Sequence, residues 1–263
     1  MLIFNCTKAA ADFFSTTKKG KKISPIEPAP YKTIAEDIEA TNTSAETAPQ
    51  WHWLVHAKKI KRKNVLLIMD YQSRFSITLS GLKKGDKSAF LNKLEHHLMV
   101  HVHETMTLVA DHPQTIIDSL ENYTQQQNGY AFYQRGAHSV QTHINDVFWH
   151  FERSAEETGE VLQNVDLIGF DAYVNRILRN RKGEKDYFYP QHKFLRSWLI
   201  HYGQCTKAEA DQHIDSLQAQ ERAEAQSLFG DITELPLPTE TQNISDVDFD
   251  NTNVVSLDDY RKQ

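Results

Sequence analysis

Histidines are concentrated in one short stretch of this sequence. The stretch HHLMVHVHE, residues 96–104, contains four of the chain's 13 histidines and ends in a glutamate. Imidazole and carboxylate groups are common zinc ligands, so the stretch could form a metal site. If residues 87–109 form a helix, His96 and His103 fall on its far side, whereas three other groups share one flank at a spacing of i, i+4 and i+7. These are His97, His101 and Glu104.

The pattern around these histidines nevertheless argues against a zinc enzyme. The HExxH signature of zinc hydrolases is absent, because no glutamate follows the first histidine of the pair. A strand would align His97, His101 and His103 on one face. A helix is favoured, because Asp86 can cap it and its apolar stripe is long. We therefore expect these histidines to be partly polar residues that pack along the flank of the helix. We expect no metal and no other cofactor. A zinc-dependent hydrolase at His97, His101 and Glu104 is the alternative.

A second polar row runs along the sequence HSVQTHINDVFWHFE. It consists of Ser139, His143, Asp146 and His150, spaced i, i+4, i+7 and i+11 on one face of a predicted helix. The residue types are those of a hydrolase triad. A triad must converge, however, whereas successive turns of one helix place their side chains in a line. The sequence also has no nucleophile elbow, so we expect a polar helix face and assign no catalytic residue.

An enzyme that acts on a phosphate-bearing or nucleic-acid substrate is a further alternative. Its polar cleft would be formed by Arg135, His138, His143, Asp146 and Arg181. These groups would have to converge in space from separate parts of the chain. The sequence has no Walker A loop, GxGxxG or CxxC motif, and its 10 glycines leave little material for a phosphate-cradling loop.

Two basic groups could contact phosphates. The first group, between two predicted strands, contains Lys59, Lys61, Arg62 and Lys63. The second contains Arg176, Arg179, Arg181 and Lys182, and the aromatic run YFY follows at residues 187–189. Basic residues next to aromatic ones suit phosphate contacts and base stacking. Residues 1–206 have a charge balance of only +3, however, so we expect nucleic-acid binding to be weak or absent.

The composition indicates a soluble globular protein. With 263 residues, 40% of them hydrophobic, the chain can form one good-sized domain with appendages. The longest apolar run, residues 65–69, is far shorter than the roughly 20 residues of a membrane helix, and the N-terminus lacks the pattern of a secretory signal. The two distant cysteines, Cys6 and Cys205, indicate a reducing compartment. We expect a cytoplasmic protein that has no membrane partner.

Hydrophobic periodicity places strands before helices along the chain. Strands are predicted at residues 2–6, 51–56, 64–70, 74–80 and 130–133. Helices are predicted at residues 7–14, 87–109, 139–156, 166–181 and 191–202, with another beginning near residue 113. The polar segment 15–50 is expected to be a partly mobile insertion. This order favours the α+β class, with a small antiparallel sheet packed by several helices.

The C-terminal part differs in charge from the rest of the chain. From residue 207 onward it has 13 acidic and four basic residues, a net charge of −9. We expect an α+β domain over residues 1–205, a helical arm over 206–228 and a disordered acidic tail over 229–263. The tail ends in NVVSLDDYRKQ, whose apolar residues suggest a docking motif for a protein partner. These residues are Val255, Leu257 and Tyr260.

Several stretches, in their order along the chain, resemble a bacterial family known only as a domain of unknown function. MLIFNCTK resembles its opening strand and Thr-Lys helix start, and WHWLVHAKKIKRKNVLLIMD resembles its Trp-led strand, basic turn and apolar strand. SGLKKGD and NRKGEKDYFYP resemble two further segments. HSVQTHINDVFWHF resembles its Arg-Ser-Val-x-Gly-x-Met-Asn-Asp helix, although His138 replaces the arginine and Thr142 the glycine. The resemblance covers residues 1–199 and implies a bacterial fold unit, but no activity.

A binding or regulatory module is the function that these observations favour. No coherent catalytic constellation is present in the sequence. The apolar residues of the tail, set among acidic ones, are typical of a segment that folds on a partner. We therefore expect a non-enzymatic module of the bacterial cytoplasm whose tail binds another protein.

Overall fold

The computed structural model describes residues 1–43, 50–163, 165–181 and 186–229. The strands are Leu2–Cys6 (β1), Thr16–Lys18 (β2), Lys21–Ile23 (β3), Trp51–Ile60 (β4), Lys63–Asp70 (β5), Ser76–Ser80 (β6) and Tyr130–Gln134 (β7). The helices are Lys8–Phe14 (α1), Ile34–Thr43 (α2), Lys87–Met106 (α3), Pro113–Gln126 (α4), His138–Thr158 (α5), Val165–Val174 (α6), Pro190–His201 (α7) and Lys207–Phe229 (α8). Lys182 and the tail residues Val255, Leu257 and Tyr260 lie outside the described residues. Within the described parts, no helix has both the length and the apolar character to cross a membrane.

The main sheet has five strands in the order β6-β5-β4-β1-β7. Three consecutive strands, β4, β5 and β6, pair antiparallel, as the predicted antiparallel sheet requires. β1 lies between β4 and β7 and is parallel to both, so the sheet is mixed, not purely antiparallel. The predicted α+β class is confirmed, but the direction of the β1 pairing could not be deduced from a strand of five residues.

The polar segment predicted as an insertion is the connection that makes this parallel pairing possible. Two parallel neighbours cannot be joined by a tight turn, because the chain must return to the same end of the sheet. Between β1 and β4 the chain forms α1, the two-stranded hairpin of β2 and β3, and α2. The segment therefore contains ordered elements and serves as a crossover connection.

The sheet is covered on both faces, so it separates two apolar cores. Along β5, Leu66 and Ile68 belong to one core, whereas Leu67 and Met69 belong to the other. Helices α1, α3 and α7 contribute to the first core, and α5 and α6 to the second. An interior strand buried on both faces has a continuous apolar sequence, which explains the run VLLIM.

Side-chain caps begin two of the predicted helices, α3 and α8. The Oδ1 of Asp86 accepts a hydrogen bond from the Ala89 N–H at 2.9 Å at the start of α3. At the start of α8, Thr206 and Glu209 form a capping box: the Thr206 N–H donates to Glu209 Oε2 at 2.8 Å, and the Glu209 N–H donates to Thr206 Oγ1 at 3.3 Å. These bonds satisfy N–H groups that have no partner within the helix.

The first compact unit of the chain runs from Met1 to Ala219 and the second from Gln220 to Gln263. The sequence assigned residues 206–228 to a separate arm, but the first half of α8 belongs to the first unit. Ala210, Ile214 and Leu217 form its buried stripe and join the first core. Their spacing of i, i+4 and i+7 puts them on one helix face. Of the second unit, the structure describes residues 220–229.

Candidate anion site

Three arginines converge on one histidine beside the N-terminal half of α5. Arg74 comes from the turn between β5 and β6, and Arg179 and Arg181 come from the segment after α6. All three act electrostatically on His143 of α5. Arg74 and Arg181 also donate to the same acceptor, the backbone carbonyl of Tyr71. Each guanidinium group carries a positive charge. Three of them around one point therefore create a strongly positive environment.

The surroundings of His143 lower its pKa. Burial is the largest cause that lowers the pKa of His143, followed by Arg179, Arg74 and Arg181, and together they bring it to about 4. The carboxylate of Asp146 opposes these effects. At neutral pH the imidazole is therefore uncharged, since a second positive charge there would be repelled by the arginines.

Hydrogen bonds hold the cluster in place from several sides. Arg179 donates through Nη1 to Asp146 Oδ2, and its side chain is buried. Arg74 donates through Nη2 to Ser139 Oγ at 3.4 Å. Among the described residues, Arg179 Nε and His143 Nδ1 are buried atoms without a hydrogen-bond partner. Buried polar atoms are normally paired, so these two are candidates for contact with a ligand.

The start of α5 adds to the positive potential. Its N-cap, Ala137, has no side chain that can accept a hydrogen bond, and the 21-residue helix begins at His138. The first N–H groups of a helix carry a partial positive charge. Ser139 lies in this first turn, next to Arg74. Guanidinium groups, a helix N-terminus and a hydroxyl together are suited to an oxyanion.

The structure brings together part of the polar cleft predicted from the sequence. His143, Asp146 and Arg181 belong to the cluster, and exposed His138 lies at the start of the same helix. Arg135 lies elsewhere: it is buried, forms an ion pair with Asp37 and donates through Nη1 to the backbone carbonyl of Tyr31 at 3.0 Å. Its role is to anchor the segment that leads into α2.

Sequence reasoning missed Arg74, which completes the cluster. Arg74 has a φ of 64°, in the left-handed region, and is 3% exposed. Non-glycine residues are uncommon in that region, and such positions often belong to functional sites. In the sequence, Arg74 is the first residue of the strand predicted at residues 74–80, and no motif distinguishes it from an ordinary strand residue.

A pocket of about 260 Å³ lies beside the turn that precedes Arg74. The turn after β5 contributes Asp70 and Gln72 to its wall, and Gln72 Oε1 accepts from Arg181 Nη2 at 3.1 Å. The wall also includes aromatic residues of β4 and α7 and the residue after α7: Trp51, Trp198 and Tyr202. The pocket therefore combines flat apolar surfaces with amide and carboxylate groups.

His52, another residue of the pocket wall, carries a hydrogen-bond donor. Its pKa is lowered to about 4, chiefly by burial, so the imidazole is neutral at pH 7. Its Nδ1 lies 3.5 Å from Arg135 Nη2 and must accept, because a guanidinium can only donate. The proton is therefore on Nε2, a buried atom with no hydrogen-bond partner in the described parts of the chain. A ligand acceptor could bond there.

The two basic groups of the sequence lie at opposite ends of α5. Lys59, Lys61, Arg62 and Lys63 are exposed around the β4–β5 hairpin, where Lys61 Nζ donates to the carbonyl of Ala155 at 2.6 Å. His143, which faces the arginine cluster, precedes Ala155 by about 18 Å of helix at 1.5 Å per residue. Arg176, exposed, donates through Nε to Gln191 at 3.1 Å. The two groups thus do not form one continuous phosphate-binding surface.

Two of the histidines of α3 face a carboxylate that the sequence analysis did not identify as their neighbour. His97 and His101 are buried and face Asp171 of α6, with 3.4 Å between His101 Nε2 and Asp171 Oδ2. Glu104, the predicted third ligand, is exposed, and its Oε2 lies 3.9 Å from His101 Nδ1. His96 and His103 are exposed, as the helical pattern predicted.

These features define a two-core α+β domain with a mixed sheet and an arginine cluster at one end of α5. The chain belongs to the family described as a domain of unknown function, DUF6933, whose model matches residues 3–193. The resemblance found in the sequence is thereby confirmed. Comparison with curated proteins and with solved structures gave no match.

Proposed function

We propose that this domain is a binding module whose ligand carries a phosphate or a similar oxyanion, held by Arg74, Arg179, Arg181 and His143. The observation that carries the proposal is the convergence of three guanidinium groups on one half-buried, neutral imidazole, with Arg74 bonded to Ser139 and Arg179 to Asp146 on the same helix. Guanidinium groups match the geometry of phosphate oxygens and bind them through charge-assisted hydrogen bonds. In the described part of the chain, Arg179 Nε and His143 Nδ1 are buried polar atoms without a hydrogen-bond partner, so a ligand can bond to them.

Binding is favoured over catalysis because the groups are poorly arranged for proton transfer. A histidine whose pKa is about 4 is a weak general base at neutral pH. Ser139 contacts Arg74, and Asp146 contacts Arg179, so neither is engaged with His143 as a triad requires. The zinc-dependent hydrolase is also not favoured, because His97 and His101 are buried beside Asp171, away from any substrate.

The pocket beside the turn before Arg74 indicates what the rest of the ligand is. Trp51, Trp198 and Tyr202 line it, and His52, which also lines it, carries an Nε2–H donor. Aromatic walls with a few polar groups suit a planar, uncharged body. A nucleoside monophosphate combines such a body with a phosphate. It is therefore expected to bind more tightly than inorganic phosphate, while equal affinities would mean that only the charged group is held.

The test is titration calorimetry of the full chain with inorganic phosphate and with nucleoside monophosphates. Arg179→Gln removes a buried guanidinium and is expected to weaken phosphate binding at least tenfold. Arg153→Gln is the matched control, since Arg153 lies on α5 but is exposed and paired with Glu157. Binding that is absent in the wild-type protein, or equally strong in Arg179→Gln, would overturn the proposal.

We also propose that the module works in a bacterial cytoplasm and that its acidic tail binds a protein partner. Cys6 and Cys205 are both free thiols, which suits a reducing compartment. The tail proposal rests on the apolar residues Val255, Leu257 and Tyr260 within a strongly acidic segment. Such a segment can fold when it meets a complementary surface.

A further inference from the structure

Three buried side chains from two helices point their polar atoms at one another. His97 and His101 lie one turn apart on α3, and Asp171 faces them from α6. Asp171 Oδ2 is 3.4 Å from His101 Nε2 and 4.0 Å from His97 Nδ1. One donor atom from each residue lies within 4.8 Å of the other two. Their exposed fractions are 6%, 2% and 0%, in chain order.

These separations are close to those of ligands around one metal ion. Zinc bonds of about 2.0–2.2 Å in a tetrahedral site put neighbouring donor atoms roughly 3.3–3.6 Å apart. The His101–Asp171 pair already has this spacing, and the His97–Asp171 pair is only slightly wider. The donor atoms of His97 and His101 lie within 4.8 Å of each other, so the two imidazoles would have to move closer together to share one ion. Two imidazoles and a carboxylate are also a known zinc ligand set.

An independent observation supports a cation site between these groups. His97 Nδ1 and His101 Nε2 are both buried atoms without a hydrogen-bond partner in the part of the chain described. A buried polar atom without a partner is costly, and a buried carboxylate needs a nearby positive charge. A cation between the three residues would meet both needs at once.

We propose that His97, His101 and Asp171 bind one zinc ion, with a water molecule as the expected fourth ligand. The ion would have a structural role, because it would join α3 to α6 inside the protein. Asp171 also accepts hydrogen bonds from the backbone N–H of Thr78 in the edge strand β6, at 3.0 and 2.9 Å to its two oxygens. This second contact fixes the carboxylate, as the outer contacts of metal ligands commonly do. The ion would therefore tie two helices and the sheet edge together.

The first experiment measures zinc in the full chain, purified without chelators or metal-affinity steps. Elemental analysis is expected to give one zinc per chain, and a chelator is expected to lower the melting temperature by several degrees. The double variant His97→Gln/His101→Gln should lose the zinc and the response to chelator. His96→Gln/His103→Gln is the matched control, because these exposed histidines lie on the same helix, and it should retain both.

A second measurement keeps the proposal testable if the double variant does not fold. Cobalt(II) added to chelator-treated wild-type protein should produce the visible absorption of a tetrahedral site, and zinc should displace it. The competing explanation is that a protonated histidine forms an ion pair with Asp171, with no metal. Wild-type protein without bound zinc, without a cobalt spectrum and without a change in melting temperature on zinc addition would overturn the proposal.

Discussion

Asn175 forms a ring of two hydrogen bonds with the backbone of Ser76: its Oδ1 accepts from the N–H at 2.8 Å, and its Nδ2 donates to the carbonyl at 2.8 Å. Two residues along β6, the N–H of Thr78 donates to the carboxylate of Asp171. β6 is an edge strand, and such strands expose backbone groups that can pair with another chain. Side chains of α6 and the residue after it thus occupy the position of a further strand.

Asn175→Ala is expected to destabilise the domain, because it leaves the buried backbone groups of Ser76 without partners. The expected loss is about 1–3 kcal/mol in the free energy of unfolding, measured by urea denaturation. The variant should also aggregate more readily, since β6 is uncovered. Asn145→Ala is the control, because Asn145 is exposed on α5 and should change stability by less than about 0.5 kcal/mol. Equal stability of the two variants would refute the edge-covering role.

Asp37→Ala is expected to destabilise the domain more strongly. Asp37 and Arg135 form an ion pair in which both side chains are buried, so removing the carboxylate leaves a buried guanidinium uncompensated. Such losses are about 3–5 kcal/mol. Replacing both partners, as Asp37→Leu/Arg135→Met, should cost less than the single change. Glu157→Ala, which breaks an exposed pair with Arg153, should cost at most about 1 kcal/mol.

The stability of the domain is expected to fall as the pH is lowered from about 6.5 toward 4. Burial lowers the pKa of His52 to about 4, whereas an unfolded histidine titrates near 6.5. In that range the unfolded chain binds a proton that the folded chain does not, so acid favours unfolding. The stability that neutral His52 contributes to the folded state is fully present above pH 6.5 and is lost as the pH falls toward 4. In urea denaturation, His52→Gln should lose part of this pH dependence, while His103→Gln, at an exposed site, should keep it.

Anion binding is expected to raise the pKa of His143 from its value of about 4. A bound anion offsets the charge of Arg74, Arg179 and Arg181, which favours the protonated imidazole. By linkage, the affinity for sulfate, whose own charge is constant in this range, should increase as the pH falls from 7 to 5. An NMR titration of the His143 ring with and without sulfate measures the shift. A pKa that sulfate does not change would place the anion elsewhere.

Deletion of residues 253–263 tests the proposed docking motif of the tail. If Val255, Leu257 and Tyr260 bind an external protein, the melting temperature should stay almost unchanged, and a pull-down from cell extract should lose its main interacting protein. A drop of several degrees would show that the segment docks on its own domain. Unchanged stability with unchanged partners would leave the docking motif without support.

Local features of the fold could be predicted because neighbouring residues determine them. The Asp86 cap, the buried stripe of α5 and the apolar strand β5 all follow from spacing within one segment. Features that join distant segments could not be predicted. The parallel pairing of β1 depends on strands that lie far along the chain, and nothing in LIFNC indicates its direction.

The candidate sites divide in the same way. The flank shared by His97 and His101 was evident from helical spacing, but the carboxylate that converges with both of them is Asp171, on another helix. The expectation of no metal rested on what one helix could offer alone. Likewise, His143 and Asp146 were candidates because they share a helix face, whereas Arg74 joins them only through the fold.

The position of β1 has a consequence for how the protein is made. Leu2 pairs with Trp51 on one side and with Tyr130 on the other. At a synthesis rate of about 5–20 residues per second, β7 leaves the ribosome on the order of ten seconds after β1. Until then the apolar strand has an unpaired edge in the nascent chain. Completion of the sheet is therefore a late event in the synthesis of the protein. Until then, β1 is the segment that a chaperone would need to shield.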